Sequence, residues 1–496
     1  MTDNQTPRDD DRSSASALAR HTAIYGAGTI LSAASGILLV PLFTKSLGTD
    51  IYGLMEILNQ IAEIAILFIF LGTNDGFVRF FFDGTDARWQ KNVTSTTLTF
   101  IMISSLSFVL LGLGVFFLFP DFGQKFGIPI TLAVIYAMWL PFDTLFRLCN
   151  QFLVASQLPV LFVATNTGRF LFFVGLNILF LYVFEMGLTG VFLAALVASA
   201  VVGTGFLVYL WRWCGFHIDV RLLKDMLSFG LPYLPTAGFA YIFLNADRFA
   251  LGTFDSLDSV GLYSLGAKIG TIGMVLLMKP ITSVWGPFIY SAFSRPDGGK
   301  RIGDALTIYS AILVYFALGI ALSGSFIIEF LADPDFFGAV EIVPLVALGG
   351  VFYGMACLSD VGVKVAKKTK YKPVIFGLTA LASVALHLTI TREFGLMGAA
   401  VSTTATMLIF FLINHLVSMR FYVVELHLRD FLAMFGPAFV LYFSFSGLIE
   451  NVDSLLWVAV ILLLAAAAFP VLFVFFSRFE FARFAGLLSS NVARSQ

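Results

Sequence analysis

Residues 40–83 read VPLFTKSLGTDIYGLMEILNQIAEIAILFIFLGTNDGFVRFFFD. From Ile51 to Asn74 this is an almost uninterrupted apolar run, and roughly 20 such residues suffice for a helix to cross a hydrocarbon core. A small polar loop precedes the run, and Arg79 follows it among phenylalanines. The same alternation of long apolar run and short polar gap continues to Ser477. The runs predict helical spans at 22–46, 51–74, 92–118, 128–149, 159–184, 188–212 and 227–251. Seven more are predicted at 261–285, 305–330, 340–363, 373–392, 396–420, 430–449 and 455–477. The expected fold is all-α and polytopic, with about 14 transmembrane helices, or 12 if two are re-entrant.

Composition agrees with a membrane class. Apolar residues make up 58% of the chain and charged residues 12%, with a mean hydropathy of +0.91. A water-soluble fold of this size needs far more polar surface. The net charge of −1 and the lack of a basic domain give no reason to expect nucleic acid. The acidic start (Asp9, Asp10, Asp11) runs into a full-length span rather than the short apolar region of a cleavable signal.

Charge in the gaps sets an expected orientation. Lys and Arg gather in every second gap: Arg8, Arg12 and Arg20; Arg79, Arg88 and Lys91; Arg212, Arg221 and Lys224; Arg295, Lys300 and Arg301; and Lys364, Lys367, Lys368, Lys370 and Lys372. With Arg147, Arg420, Arg429, Arg478, Arg483 and Arg494 this set holds 23 of the 30 basic residues. The intervening gaps hold Lys45, Lys125 and Arg392. The positive-inside rule therefore places both termini in the cytoplasm of a bacterial inner-membrane protein.

Two stretches repeat one another. PLFTKSLGTDIYGLMEI, closing in LGTNDGFVRFFF, parallels DRFALGTFDSLDSVGLYSLGAKIG, closing in VWGPFIYSAF. Tyr52 lies 27 residues before Arg79, and Tyr263 lies 27 before Tyr290. Both copies enter from the same side, so the repeat is parallel and predicts two pseudo-symmetric lobes around a central cavity. The expected segmentation is a polar tail at 1–21, lobes at 22–212 and 227–420 with a cytoplasmic connector at 213–226, an additional helix pair at 421–477 and a tail at 478–496.

No catalytic constellation is visible. His21, His217, His387, His415 and His427 are scattered, and Cys149, Cys214 and Cys357 show no paired spacing, so neither a metal nor a disulfide is expected. Gly26 and Gly28 form a GxG inside a span with no strand before it, which excludes a phosphate loop. No cofactor and no enzymatic activity are expected.

What remains are charges inside spans, which are costly and mark a pathway or a pair. Arg169 lies near the middle of the fifth span, on one stripe with Asn166, Phe173 and Asn177. Glu63 lies near the middle of the second, sharing a face with Glu56, Asn59 and Gln60. In the second lobe, Arg248 and Asp247 stand toward the outer end of the seventh span, with Asn245 and Tyr241 below them, and Lys268 in the outer half of the eighth. Arg79 and Lys279 stand at inner span ends, where they either snorkel to headgroups or meet the cargo. Glu63 is either a coupling carboxylate, with Asp247 as a second, or the structural partner of a base such as Arg169. Deep bases outnumber deep acids, which favours an anionic phosphate or diphosphate headgroup over a cationic drug. The candidate substrate-binding set is Arg169, Arg248, Lys268, Arg79, Lys279, Asn166 and Asn245.

The two repeated stretches resemble the opening and second-lobe signatures of bacterial polysaccharide and O-antigen flippases, in the multidrug/oligosaccharidyl-lipid/polysaccharide exporter superfamily. PLFTKSLGTDIYG with LGTNDGFVRF is similar to the first signature; LPYLP, ADRF, VGLYS and VWGPFIY are similar to the second. The likeness covers about 22–477, and Arg79, Asp247, Arg248, Tyr52 and Tyr263 fall on motif positions. It implies translocation of an undecaprenyl-diphosphate-linked oligosaccharide to the outer leaflet by alternating access. The implied partners are the lipid-linked glycan, membrane lipids, a polysaccharide polymerase and a chain-length regulator. Asn74, Asp75 and Gly76 replace the family's small apolar residues and put close helix packing there in doubt. A drug/cation antiporter of the same superfamily and a non-transporting scaffold of a glycan-assembly complex are the competing expectations.

Overall fold

The computed structural model describes residues 36–84, 86–118, 128–449 and 455–477. Among them the only regular structure is helix: α1 Val40–Ser46, α2 Thr49–Phe70, α3 Thr73–Asp83, α4 Ala87–Leu118, α5 Ile130–Ala155, α6 Pro159–Ile178, α7 Gly187–Cys214 and α8 Val220–Gly230. These are followed by α9 Leu234–Phe254, α10 Leu257–Ala292, α11 Gly298–Leu331, α12 Val343–Ser359, α13 Val361–Val365, α14 Lys372–Leu386, α15 Arg392–Met419, α16 Leu428–Ile449 and α17 Leu455–Phe476. Twelve described helical stretches are long and apolar enough to span a membrane. One of these, Thr369–Met419, is 51 residues long, about 75 Å of helix and more than twice a bilayer core. Gly395, at φ 53° and ψ −130°, breaks it into two, as the separate runs 373–392 and 396–420 predict. Most of the first predicted span, 22–46, lies outside the described residues, as do both tails.

The chain divides into two compact units, 1–238 and 239–496, at a point inside α9. In the first, α5 and α7 pack tightly, sealed by Tyr136, Trp139 and Phe192 with ring centroids 5.3–5.8 Å apart. In the second, Trp285 of α10 is buried and donates its indole N–H to the Leu358 carbonyl of α12 at 3.0 Å. Asn414 of α15 donates to the Ala356 carbonyl at 2.7 Å. Each bond satisfies a polar group where water is absent.

The repeat extends further than the motifs that first disclose it. The C-terminus of α5 and that of α13 close with the same capping pattern. Leu158 N–H bonds to the Leu153 carbonyl around Gln157 at φ 55°, and Lys368 N–H bonds to the Val363 carbonyl around Lys367 at φ 56°. Next, α6 and α14 each carry a proline within their first two residues and run on into five residues of π-helix, Leu179–Val183 and His387–Thr391. Both lead into EMGLTG at 185–190 and EFGLMG at 393–398, where Gly187 and Gly395 take φ 54° and 53°. Only glycine adopts that backbone at no steric cost.

Two short helices depart from the prediction. The second span ends at Phe70, and Leu71 and Gly72 turn the chain through left-handed backbone into a separate helix, α3. Arg79 therefore sits on α3, exposed, and not at the end of the span. Within the predicted connector, α8 buries Leu222, Met226 and Gly230 and exposes Arg221, Lys224 and Asp225. Its buried face meets α3 so closely that a Cβ at Gly76 would stand 3.1 Å from the Met226 carbonyl. Close packing thus persists at Asn74–Asp75–Gly76 because Gly76 faces α8. A Cβ at Gly230 would lie 2.1 Å from the Gly72 carbonyl oxygen. Gly230→Ala should force α3 and α8 apart and cost about 1–3 kcal/mol, read as a lowered melting temperature of the purified protein in detergent.

Asp219 caps α8. Its carboxylate accepts from the Leu222 and Arg221 amides and from the Asn92 side chain, and these donors hold its pKa below the usual carboxylate range. The stabilisation is therefore full above the unfolded value of about 3.9 and is lost as pH falls through the lower folded value. The melting temperature of Asp219→Asn should lie below that of wild type near neutral pH, with the difference closing under about pH 4.

Candidate functional site

The first unit gathers four charges from three helices, inside segments that the hydropathy marks as spans. Asp143 of α5 is their centre. Its Oδ2 accepts from Arg147 Nε at 2.8 Å, one turn along the same helix, and its Oδ1 accepts from Arg169 Nη2 of α6 at 3.0 Å. Arg147 then reaches α2 with its other two nitrogens, Nη1 to Glu63 Oε2 at 3.3 Å and Nη2 to Glu63 Oε1. Arg169 Nη2 also donates to Ser199 Oγ of α7 at 2.8 Å, and its guanidinium lies 4.2 Å from the Phe146 ring centroid. The ladder Glu63–Arg147–Asp143–Arg169–Ser199 thus ties four helices with two positive and two negative charges.

Local sequence explains the placement. Pro141 lacks an amide hydrogen and leaves the helix one bond short just before Asp143. Asp143 and Arg147 share a face at i,i+4 spacing. Measured along each helix at about 1.5 Å per residue, Glu63, Arg147, Asp143 and Arg169 stand some 10–18 Å from the helix ends at Phe70, Ala155 and Pro159.

Exposure is lowest at the centre of the ladder and highest at its Glu63 end. The Asp143 side chain is 6% exposed and Arg169 25%, against 39% for Arg147 and 47% for Glu63. A half-exposed ion pair at that depth requires a watered face, since lipid would not tolerate it.

The sequence reading found two of these residues and missed two. Arg147 counts among the inner-loop bases when the fourth span is ended at residue 149; α5 runs on to Ala155 and draws it into the span. Asp143 drew no notice, although D-x-x-x-R inside an apolar run is a readable signal. Glu63 pairs with Arg147 rather than with Arg169. The expected excess of deep bases accordingly does not hold in this unit, where each arginine has its carboxylate. Asn166 faces Asn150, donating to its side-chain oxygen at 2.7 Å, one turn from Arg169.

The remaining candidates stand on α3, α9 and α10. Asp247 is buried; its Oδ1 accepts from Arg248 Nη1 at 3.0 Å and from the Arg248 amide at 2.8 Å, and its Oδ2 from Thr403 at 3.3 Å. Thr403 also meets the Tyr263 hydroxyl at 2.8 Å, so Asp247, Arg248 and Tyr263 join α9, α10 and α15. Asn245 donates to the Tyr241 carbonyl of its own helix at 3.0 Å. Lys268 is partly buried in α10, and Lys279, exposed, sits well inside that helix because α10 continues to Ala292. Arg79 lies 4.4 Å over the Phe229 ring of α8. His387 bonds Thr391 at 2.8 Å inside the π-helix and His415 stacks on Phe411, both as packing residues. Among the described residues no cluster of potential metal ligands occurs.

This arrangement of helices is that of the lipid-flippase and multidrug-exporter class. The lipid II flippase MurJ, in an inward-closed conformation, superposes with a TM-score of 0.71 over 91% of this chain and 98% of that one, at 14% identity. An inward-facing MATE-family multidrug resistance transporter follows at 0.60, over 79% and 94% of the two chains and 16% identity. An outward-facing MATE structure gives 0.56 at 15% identity, over 82% and 95%. No curated protein sequence matches. The family model for polysaccharide biosynthesis proteins matches residues 18–293, more than half of the chain, and the chain belongs to that family.

The exposure gradient separates the roles of the two carboxylates. Asp143→Asn should strand two guanidiniums in a span and cost on the order of 3–5 kcal/mol. Glu63→Gln, at the watered end, should cost less than about 1 kcal/mol. Thermal unfolding of the two purified variants checks the contrast.

Proposed function

We propose that this protein flips an undecaprenyl-diphosphate-linked oligosaccharide from the inner to the outer leaflet of the bacterial cytoplasmic membrane by alternating access. The observation that carries the reading is the Arg147 guanidinium, 39% exposed and deep within a span of a polysaccharide-biosynthesis family member. A guanidinium fork matches phosphate oxygens two at a time and keeps its charge at every physiological pH. Membership of the family supports a glycan cargo, and the fold shared with a lipid II flippase supports a lipid-linked one. Both termini face the cytoplasm in this proposal, and the glycan is handed on to a polymerase and chain-length regulator. In the first unit Arg169 and Asn166 position the headgroup and Arg79 meets the cargo nearer the inner face; Lys268, Arg248, Asn245 and Lys279 are the second unit's candidate contacts. Asp247 serves as a fixed counter-ion.

A second reading, export of organic cations, is favoured by the MATE likeness and by the exposed Glu63 carboxylate. The leaflet distribution of lipid-linked oligosaccharide in spheroplasts decides between them. Cells lacking the protein should accumulate the precursor on the inner leaflet, with rescue by wild type and at least a tenfold weaker rescue by Arg147→Gln, the loss expected when a charged hydrogen-bond partner is removed. An unchanged distribution with intact surface glycan, together with lost efflux of a lipophilic cation, would establish the second reading instead.

A further inference from the structure

The two carboxylates of the ladder hold Arg147 in different ways. Asp143 takes Nε, is nearly buried, and is itself fixed by Arg169. Glu63 takes the outward fork, Nη1 and Nη2, and is the most exposed of the four charged groups. When Glu63 leaves, Arg147 keeps its place through Nε, with the fork open. A phosphate oxyanion presents the same pair of oxygens that Glu63 presents now. We propose that Glu63 is an exchangeable counter-ion: the diphosphate of the cargo displaces it from Arg147, and the released carboxylate takes up one proton from the buffered solvent. This rests on the flippase reading and gives that site its coupling to protons.

The charge balance drives the proton step. The resting ladder is neutral, with two guanidiniums and two carboxylates. An arriving phosphate oxygen would leave it one negative charge in excess inside a span, and a proton on Glu63 restores neutrality. Arg147 is the cation the structure sets against Glu63. From α5 the charged groups facing Glu63 are Arg147 and Asp143, and from α6 Arg169 stands behind Asp143. Helix α4 carries no ionisable residue between Lys91 and its end at Leu118. On α2 itself Glu56 lies two turns away, buried and with a partner of its own, and Asp50 lies in the first turn; α1 carries Lys45 in its last turn.

The test is calorimetric titration of the full-length protein in nanodiscs with farnesyl diphosphate, in two buffers of different ionisation enthalpy, at pH 6–8. Wild type should take up about one proton more per ligand bound than Glu63→Gln, which cancels the ligand's own ionisation, and should lose up to about tenfold more affinity per pH unit. Glu63→Gln and Glu63→Ala should bind at least about tenfold more tightly than wild type at pH 7.5, because no resident carboxylate competes. Equal proton uptake and equal affinity in wild type and both variants would make Glu63 a fixed structural partner and overturn the exchange. That result alongside normal inner-to-outer flipping in cells would leave the flippase reading standing. The predicted proton difference without flipping would sustain the exchange and remove the cargo assignment.

Discussion

One carboxylate, Asp143, decides how the first unit is built. Two arginines in apolar helices would each carry a prohibitive solvation cost, and neither can shed its proton. Asp143 gives each of them an oxygen at 2.8–3.0 Å and is itself shut away from water. Because its partners come from α5 and α6, and because Arg169 also binds Ser199 of α7, the pairing fixes three helices against one another. A core of leucine and phenylalanine could not impose that registry, since lipid tails compete equally well for apolar faces. The arrangement is electrostatic where a soluble protein would rely on hydrophobic burial.

The second copy of the repeat shows what the first has added. The shared α-helix cap, the paired π-helices and the two glycine turns place Tyr353 and Cys357 of α12 where α5 carries Asp143 and Arg147. The i,i+4 spacing is thus kept in both units, but the pair is charged in the first and uncharged in the second. The second unit instead carries a buried ion pair on α9, Asp247 with Arg248, tied down by Thr403 and backed by Tyr263. One scaffold therefore carries an open-ended ion ladder in one unit and a closed polar clamp in the other. The π-helices add to this: each inserts an extra residue per turn just before a Gly-bounded turn, and in the second unit it delivers His387 to Thr391 and thence to Ser402.

Hydropathy is a one-dimensional quantity, so the spans were readable from residue order, including the division of 369–419 that helix length alone conceals. Arg169 and Glu63 were readable too, because an ionisable residue in an apolar run needs no partner to be noticed. Their partners were another matter. Arg147 stands eight residues before the end of α5, and deciding that it lies in a span depends on where the helix stops. That stop is set by the Leu158–Leu153 capping bond around Gln157, a three-dimensional feature without a hydropathy signal. The close approach of Gly72 to Gly230 was hidden for a related reason. The two glycines are 158 positions apart, and only the meeting of α3 with α8 gives either a reason to be there.

A neutral ladder also answers a difficulty that a bare cationic site would raise. A transporter must bind its cargo well enough to admit it and weakly enough to let it go. Two unpaired arginines deep in a span would hold a diphosphate tightly and would have no means of release. Under the exchange proposed above, cargo binding would be a substitution for Glu63 on the outward fork of Arg147, and its net strength the difference between two guanidinium–oxyanion pairs. Release then needs only that Glu63 lose its proton and return. Asp143 takes no part in the substitution and must not, because the arginine whose fork changes partners is held in place by its remaining bond to that buried carboxylate.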